Sequence, residues 1–325
     1  MFEPKKLGVT QKIMSDLCGV SAPTVNKIVS AGSYVPIDEN TKRNIRFSIE
    51  DTRTIIKQAL YKLRPDLPKI ITFYNFKGGV GKTTLCYQVS THLALMGFNV
   101  LVIDADPQGH LSTSLGYDTE DDFLTLLDCI TNNIPVTEVI KGVYSGLDCL
   151  PSNIGLSRLE PSLSEMPHSQ NFISKCLEPV IDKYDFIIFD TNPTISHINR
   201  NIIMASDLLS IVVETQAYAL NGLKLLLGDL KTFCAESKID LPKMTIIPNK
   251  YEERTASSGE AMAVLRDHYS EYVIPNFAVR RSEELHTSGK NATPLAFFCR
   301  SNSIALEDIK EVLKYLLTGK EPINS

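Results

Sequence analysis

Phe76-Lys77-Gly78-Gly79-Val80-Gly81-Lys82-Thr83-Thr84 is the stretch on which the reading of this chain turns. An apolar run, Ile70-Ile71-Thr72-Phe73-Tyr74, precedes it, and a helical pattern over Thr83–Met96 follows. Glycines between a strand and a helix let the backbone turn tightly and aim successive N–H groups inward. The positive end of the helix then completes a cradle for polyphosphate. In such a cradle Lys82 lies against the β- and γ-phosphates and the Thr83 hydroxyl ligates Mg²⁺. The usual spacing asks for a glycine five residues before Gly81. Phe76 holds that place, and a second lysine, Lys77, stands immediately after it.

Working outward, similar apolar runs recur at 100–103, 186–189, 208–213 and 244–247. Continuous apolar runs of this length suit strands buried on both faces, as in a parallel sheet. Helical patterns at 221–235 and 259–269 supply crossovers, so the chain from 65 onward is expected to be a doubly wound, mostly parallel α/β domain. Two of the strands end in acids. Val100–Ile103 runs into Asp104-Ala105-Asp106-Pro107-Gln108-Gly109, and Phe186-Ile187-Ile188-Phe189 into Asp190. Carboxylates at the carboxyl end of a parallel strand face the ligand crevice. Asp190 in that position would bind Mg²⁺ through water, because Mg²⁺ keeps much of its hydration shell.

Lys77 through Thr84 resembles the deviant Walker A box of the ParA/MinD family of partition and positioning ATPases. The resemblance implies ATP and Mg²⁺ as ligands. It also implies a nucleotide-sandwich homodimer in which Lys77 reaches the partner subunit's phosphates. A cation from the second chain would stabilise charge that develops on the transferring phosphoryl group. Lys77, Lys82 and Asp106 are then the catalytic set, with Asp106 positioning or activating the attacking water. Residues 77–84 (Lys77, Gly78, Gly79, Val80, Gly81, Lys82, Thr83 and Thr84) and Asn249, placed to read an adenine edge, form the nucleotide site. Thr83, Asp104 and Asp190 serve the metal. Where the family usually continues Thr-Pro-Pro after the last acid, this chain has Thr191-Asn192-Pro193. Weaker matches at 150–153, 214–223, 247–251 and 274–283 carry the likeness toward the C-terminus.

Ahead of the strand at 70 lies a small helical head, residues 1–64, closed by Arg64-Pro65-Asp66-Leu67-Pro68, where two prolines end any helix. Within it a helix ending at Leu17-Cys18, a Gly19 turn and a second helix opened by Ser21 and Pro23 resemble a helix-turn-helix. Its second helix would offer Ala22, Thr24, Asn26 and Lys27 to a major groove. The alternative is a helical docking unit without groove contact. Lys42-Arg43-Asn44-Ile45-Arg46-Phe47-Ser48 could add a basic wing, followed by a helix from 49 to about Leu63. In the last third, Arg266, Arg280, Arg281, Lys290 and Arg300 form a basic set. The resemblance implies sequence-independent DNA contacts there, chiefly through Arg280 and Arg300; ordinary surface ion pairs are the other reading.

Charge follows the same division. Residues 1–70 hold 12 Lys/Arg against 7 Asp/Glu, and the remainder 21 against 31, so a basic head precedes an acidic body. With 43% hydrophobic and 22% charged residues the composition is that of a globular protein, not a disordered or fibrous one. No apolar run is long enough to span a bilayer, and the N-terminus lacks a secretory core. Seven scattered cysteines with no CxxC pair argue against a disulfide framework and against an iron–sulfur reductase. Three functions are in play. One is a partition ATPase whose DNA-bound dimer is stimulated by a ParB-like partner, at work in the cytoplasm on the nucleoid and able to repress its own operon. The second is a nucleotide-gated transcriptional regulator. The third, a MinD-like membrane-positioning ATPase, is disfavoured because the amphipathic stretch Ile304–Leu317 carries Glu307, Asp308 and Glu311.

Overall fold

The computed structural model describes residues 8–37, 45–165 and 171–320, with the side chains of 217–219 set aside. Two sheets are present among them. A two-stranded antiparallel pair joins β1 (Val9–Thr10) to β2 (Arg46–Phe47). The seven-stranded sheet consists of β3 (Ile70–Tyr74), β4 (Val100–Ala105), β5 (Lys141–Tyr144), β6 (Leu147–Leu150), β7 (Phe186–Thr191), β8 (Leu208–Glu214) and β9 (Lys243–Asn249), in the order β5-β6-β4-β7-β3-β8-β9. All pairings are parallel except the edge pair β5–β6. The apolar runs expected as strands are β3, β4, β7, β8 and β9. Their interiors are buried because helices cover both faces, which is why they read as continuous hydrophobic stretches.

The order also explains where the site lies. β3 sits between β7 and β8, and the next strand in sequence, β4, lies on the far side of β7. The carboxyl ends of β3, β4, β7 and β8 therefore open side by side, and their loops share one crevice. Register places Asp104 opposite Asp190 across β4 and β7.

In the head, the helix Gln11–Cys18 ends at Gly19, whose φ of +67° favours glycine, and the helix Ala22–Ala31 follows at once. A third helix, Ile49–Ala59, is capped by the Ser48 hydroxyl, which accepts from the Asp51 N–H; it ends four residues short of the expected Leu63. Lys42, Arg43 and Asn44 of the expected wing lie outside the described residues. Although the chain turns sharply at the prolines, the hydrophobic core does not break there. Ile13, Leu17, Val25, Phe47, Ile55 and Ile56 belong to the same buried cluster as Leu85, Val89 and Leu93 of the following helix, Lys82–Leu95. The C-terminal helix, Ile304–Thr318, turns Leu306, Ile309, Leu313 and Leu317 into this cluster too. Its apolar face is thus spent inside the protein, and no described helix is long and apolar enough to cross a membrane.

Polar contacts also fasten the head, where the Arg64 N–H donates to the Leu317 carbonyl at 2.9 Å. Arg53, on its third helix, donates from Nη1 to the carbonyls of Ala94 and Phe98, the latter at 2.8 Å, and from Nη2 to Asn99 Oδ1 at 3.0 Å. Those carbonyls belong to the last turn and exit of Lys82–Leu95, where a helix leaves acceptors unpaired and its dipole favours a cation.

Candidate active site

β3 delivers the chain to the loop through Asn75, whose amide donates to the Val212 carbonyl at 2.6 Å while its Oδ1 accepts from the Lys77 N–H at 2.9 Å. Lys77, Gly78 and Gly79 stand exposed at the crest, Val80 is buried, and Lys82 lies 6% exposed at the start of the helix. At Gly81 φ is +100°, and a Cβ would sit 2.2 Å from the Asn249 amide nitrogen, so backbone angle and space both require glycine. The Lys82 ammonium rests on the Lys77 carbonyl at 3.4 Å. Burial lowers its pKa, and the nearby Asp190 and Asp106 carboxylates act in the opposite direction.

The carboxylates divide their work. Asp104 is fully buried and turned to structure. One oxygen accepts from the Asp106 N–H at 3.1 Å, and the other from the Ser112 N–H and hydroxyl at 2.8 and 2.7 Å. Burial pushes its pKa up to about 6 against those bonds. Asp106 is half-buried at the mouth, where Oδ1 accepts from the Gln108 N–H at 3.0 Å. Asp190 is different: neither buried oxygen has a well-formed hydrogen bond. Burial, followed by the Asp104 charge, raises its pKa well above the carboxylate range, and the neighbouring Thr83 hydroxyl and Lys82 ammonium only partly offset this. An orphaned carboxylate behind a phosphate loop, with a threonine hydroxyl beside it, fits a hydrated divalent cation.

Two clefts flank the start of the helix. One, about 640 Å³, is lined by Lys82, Thr83, Asp106, Gln108 and Pro193. The other, about 500 Å³, is lined by Glu214, Asn249, Lys250, Glu252 and Ser282. Both are bordered by Gly79, Gly81, Thr84, Leu285 and His286, so a single elongated ligand can reach from one cleft to the other.

Residues 68–243 match the AAA domain family. The chain is 31% identical over 311 residues to the cell division protein PomZ of Myxococcus xanthus, spanning 95% of this chain and 92% of that protein. It belongs to the ParA/MinD family of P-loop ATPases. A second relative, the sporulation initiation inhibitor protein Soj of Bacillus subtilis, is 29% identical over 248 residues, 75% of this chain but 98% of Soj. An ATP complex of a Cyanothece McdA variant has the same fold, with a TM-score of 0.69 at 23% identity over 79% of this chain and 98% of that one. The head of this ParA/MinD-family chain therefore has a counterpart in the PomZ alignment, whereas the Soj alignment leaves a quarter of the chain uncovered.

Two residues make contacts that sequence did not foresee. Asn249 lines the second cleft, and its Nδ2 also donates to the Val80 carbonyl at 2.8 Å and so props the phosphate loop. Arg280, expected among surface cations, is drawn inward instead. Its guanidinium meets Asp308 at 2.6 Å and Glu307 at 2.8 Å, and its N–H donates to Asp308 at 2.7 Å, because Asp308 is buried and needs a counter-charge. Arg300, Arg266 and Lys290 are exposed, as are Thr24, Asn26 and Lys27 on the second helix of the head, with Ala22 half-buried. Glu214 and Lys250, quoted above only within matching segments, turn out to border the phosphate loop. The rule that found Asp104 and Asp190, an acid ending a buried strand, would have found Glu214.

Proposed function

We propose that this chain hydrolyses ATP with Mg²⁺ in a sandwich dimer that binds DNA, and that a ParB-like partner stimulates the turnover, making it a partition or positioning switch on the nucleoid. One observation carries the reading: the phosphate loop has its full complement in Lys82 and Thr83, and yet a second lysine, Lys77, stands exposed at its crest. A cation there is surplus to its own subunit's cradle and suited to a phosphate held opposite. Lys82 and the loop N–H groups would hold the β- and γ-phosphates, and Asp106, at the mouth, would orient the attacking water and receive its proton. Thr83 and, through water, Asp190 would hold Mg²⁺, which when bound neutralises charge on the phosphates. Asp104 acts at one remove, fixing the Asp106 backbone. Lys77→Ala and Asp106→Ala should each abolish DNA- and partner-stimulated phosphate release; stimulated hydrolysis persisting in both would overturn the mechanism.

A second reading, a nucleotide-gated regulator that occupies its own operator, is favoured by the Arg53 contact, since the head bearing Thr24, Asn26 and Lys27 is fastened to the helix that begins at the phosphates. Footprinting upstream of its own gene, with and without ATP, separates the two. Protection that follows nucleotide state would favour the regulator, and DNA binding without sequence preference the partition switch. The exposed Arg300 is the cation we assign to nonspecific DNA contact, in place of Arg280.

A further inference from the structure

Glu214, at the carboxyl end of β8, meets both lysines that border the phosphate loop. Its Oε2 lies 2.6 Å from Lys77 Nζ and its Oε1 2.8 Å from Lys250 Nζ. We propose that Glu214 is a positioning residue that competes within the subunit for Lys77, holding this ammonium in cis until nucleotide and a second subunit draw it across, and that Lys250 is the counter-charge that permits its release. The proposal rests on the sandwich-dimer reading above.

The two lysines are not equivalent. Lys250 donates a second time, to the Gly79 carbonyl at 2.6 Å, and its backbone is fixed at φ +56°. The Lys77 side chain has Glu214 as its one partner among the described residues, and its N–H is anchored to Asn75, so the base of the loop stays put while the ammonium swings. Glu214 is only 11% exposed at its side chain. A carboxylate so placed with one cation would bind it tightly, since departure would leave a nearly buried charge unpaired. With Lys250 remaining, Lys77 can leave without that cost. Both loop lysines are thus occupied by acceptors of their own subunit, Lys82 by a carbonyl and Lys77 by a carboxylate, and both contacts must break when phosphates enter.

The test is sedimentation of the full chain across protein concentrations with Mg²⁺ and the non-hydrolysable analogue AMPPNP. Freeing Lys77 raises the competent fraction of subunits, so Glu214→Gln should dimerise at about ten-fold lower concentration than the parent chain. Lys250→Met leaves Glu214 with Lys77 alone and should move the midpoint the other way, and Glu214→Asp should restore parent behaviour. A parent chain that dimerises while Glu214→Gln does not shift, or while both variants shift in one direction, overturns the proposal and leaves the dimer intact. A parent chain that stays monomeric overturns both. Should Glu214→Gln fail to fold, the Lys250→Met midpoint decides alone: an upward shift supports the latch and no shift refutes it.

Discussion

Removing the Arg53 side chain tests whether the head and the ATPase body are one cooperative structure. Arg53→Ala strips the cation from the exit of Lys82–Leu95 and removes the guanidinium donor from the Phe98 carbonyl, Asn99 Oδ1 and the Ala94 carbonyl, the last of which keeps the Gly97 N–H. A hydrogen bond from a charged group contributes about 1.5–3 kcal/mol, and a cation in the last turn of a helix about 0.5 kcal/mol more. Two backbone contacts at the low end give about 3.5 kcal/mol. Part of that returns, because water can reach these carbonyls once the side chain is gone and because the guanidinium no longer sheds its own hydration, which burial already makes unfavourable. The net expectation is a loss of about 2–3 kcal/mol, close to 1 M in urea midpoint for a slope of about 3 kcal/mol per M. Arg53→Lys should recover only a minor part, since an ammonium cannot serve three acceptors through a planar fork. The chain has no tryptophan, so a Tyr34→Trp background reports on the head alone while far-UV circular dichroism reports on the whole. Because the core is continuous from Ile13 to Leu317, both probes should give one coincident transition. A head that melts first, or an Arg53→Ala midpoint within about 0.2 M of the parent, would show that the contact does not join the two parts.

Asp190→Asn should raise the stability of the nucleotide-free protein by about 1 kcal/mol, because it removes an unpaired buried carboxylate, while weakening Mg²⁺ dependence of turnover about 10- to 100-fold. Thermal melting and a Mg²⁺ titration read the two effects, and a loss of stability would contradict the orphaned-carboxylate account. His92, buried on Lys82–Leu95, has its pKa lowered to about 4 by desolvation. The unfolded chain takes up that proton near pH 6.5 and the folded chain does not, so His92 stabilises above this value and its share, about 3 kcal/mol, is lost as pH falls from 6.5 towards 4. Asp104, raised to about 6, changes in the opposite sense over the same range, so the measurement is the difference in denaturation slope between the parent and His92→Gln. Equal slopes would refute the assignment. Arg280→Ala should cost about 3 kcal/mol by stranding Asp308, and Arg280→Ala with Asp308→Asn much less; additive losses in calorimetry would argue against the pairing.

Much of this molecule could be read from local pattern. The phosphate loop, the five apolar strands and the acids at 104, 106 and 190 declare themselves through spacing, because a parallel strand buried on both faces leaves a continuous apolar record and its end marks the crevice. The β5–β6 hairpin left a fainter record: Lys141 and Gly142 are exposed at the sheet edge, and four-residue strands carry little periodicity. What sequence could not give was partnership at a distance. Arg53 lies 41 residues from Ala94, Lys77 lies 137 from Glu214, and Arg280 lies 28 from Asp308. Each pairing depends on how distant elements pack together, which local chemistry does not encode. The same ignorance made Arg280 look like a surface cation, although it is held by neighbours that only the fold supplies.

The helix that starts at the phosphates is gripped along its length. Besides Arg53 at its far end, Gln88 at its middle donates to Ser288 Oγ at 2.6 Å and accepts from the Leu295 N–H at 3.3 Å. Sliding along its axis would break these contacts at tail and waist together. A tilt of its tip would be felt by the N-terminal helices on one flank and by the segment leading to Arg300 on the other. The two outlying regions with exposed cations are thereby both joined to the same shaft.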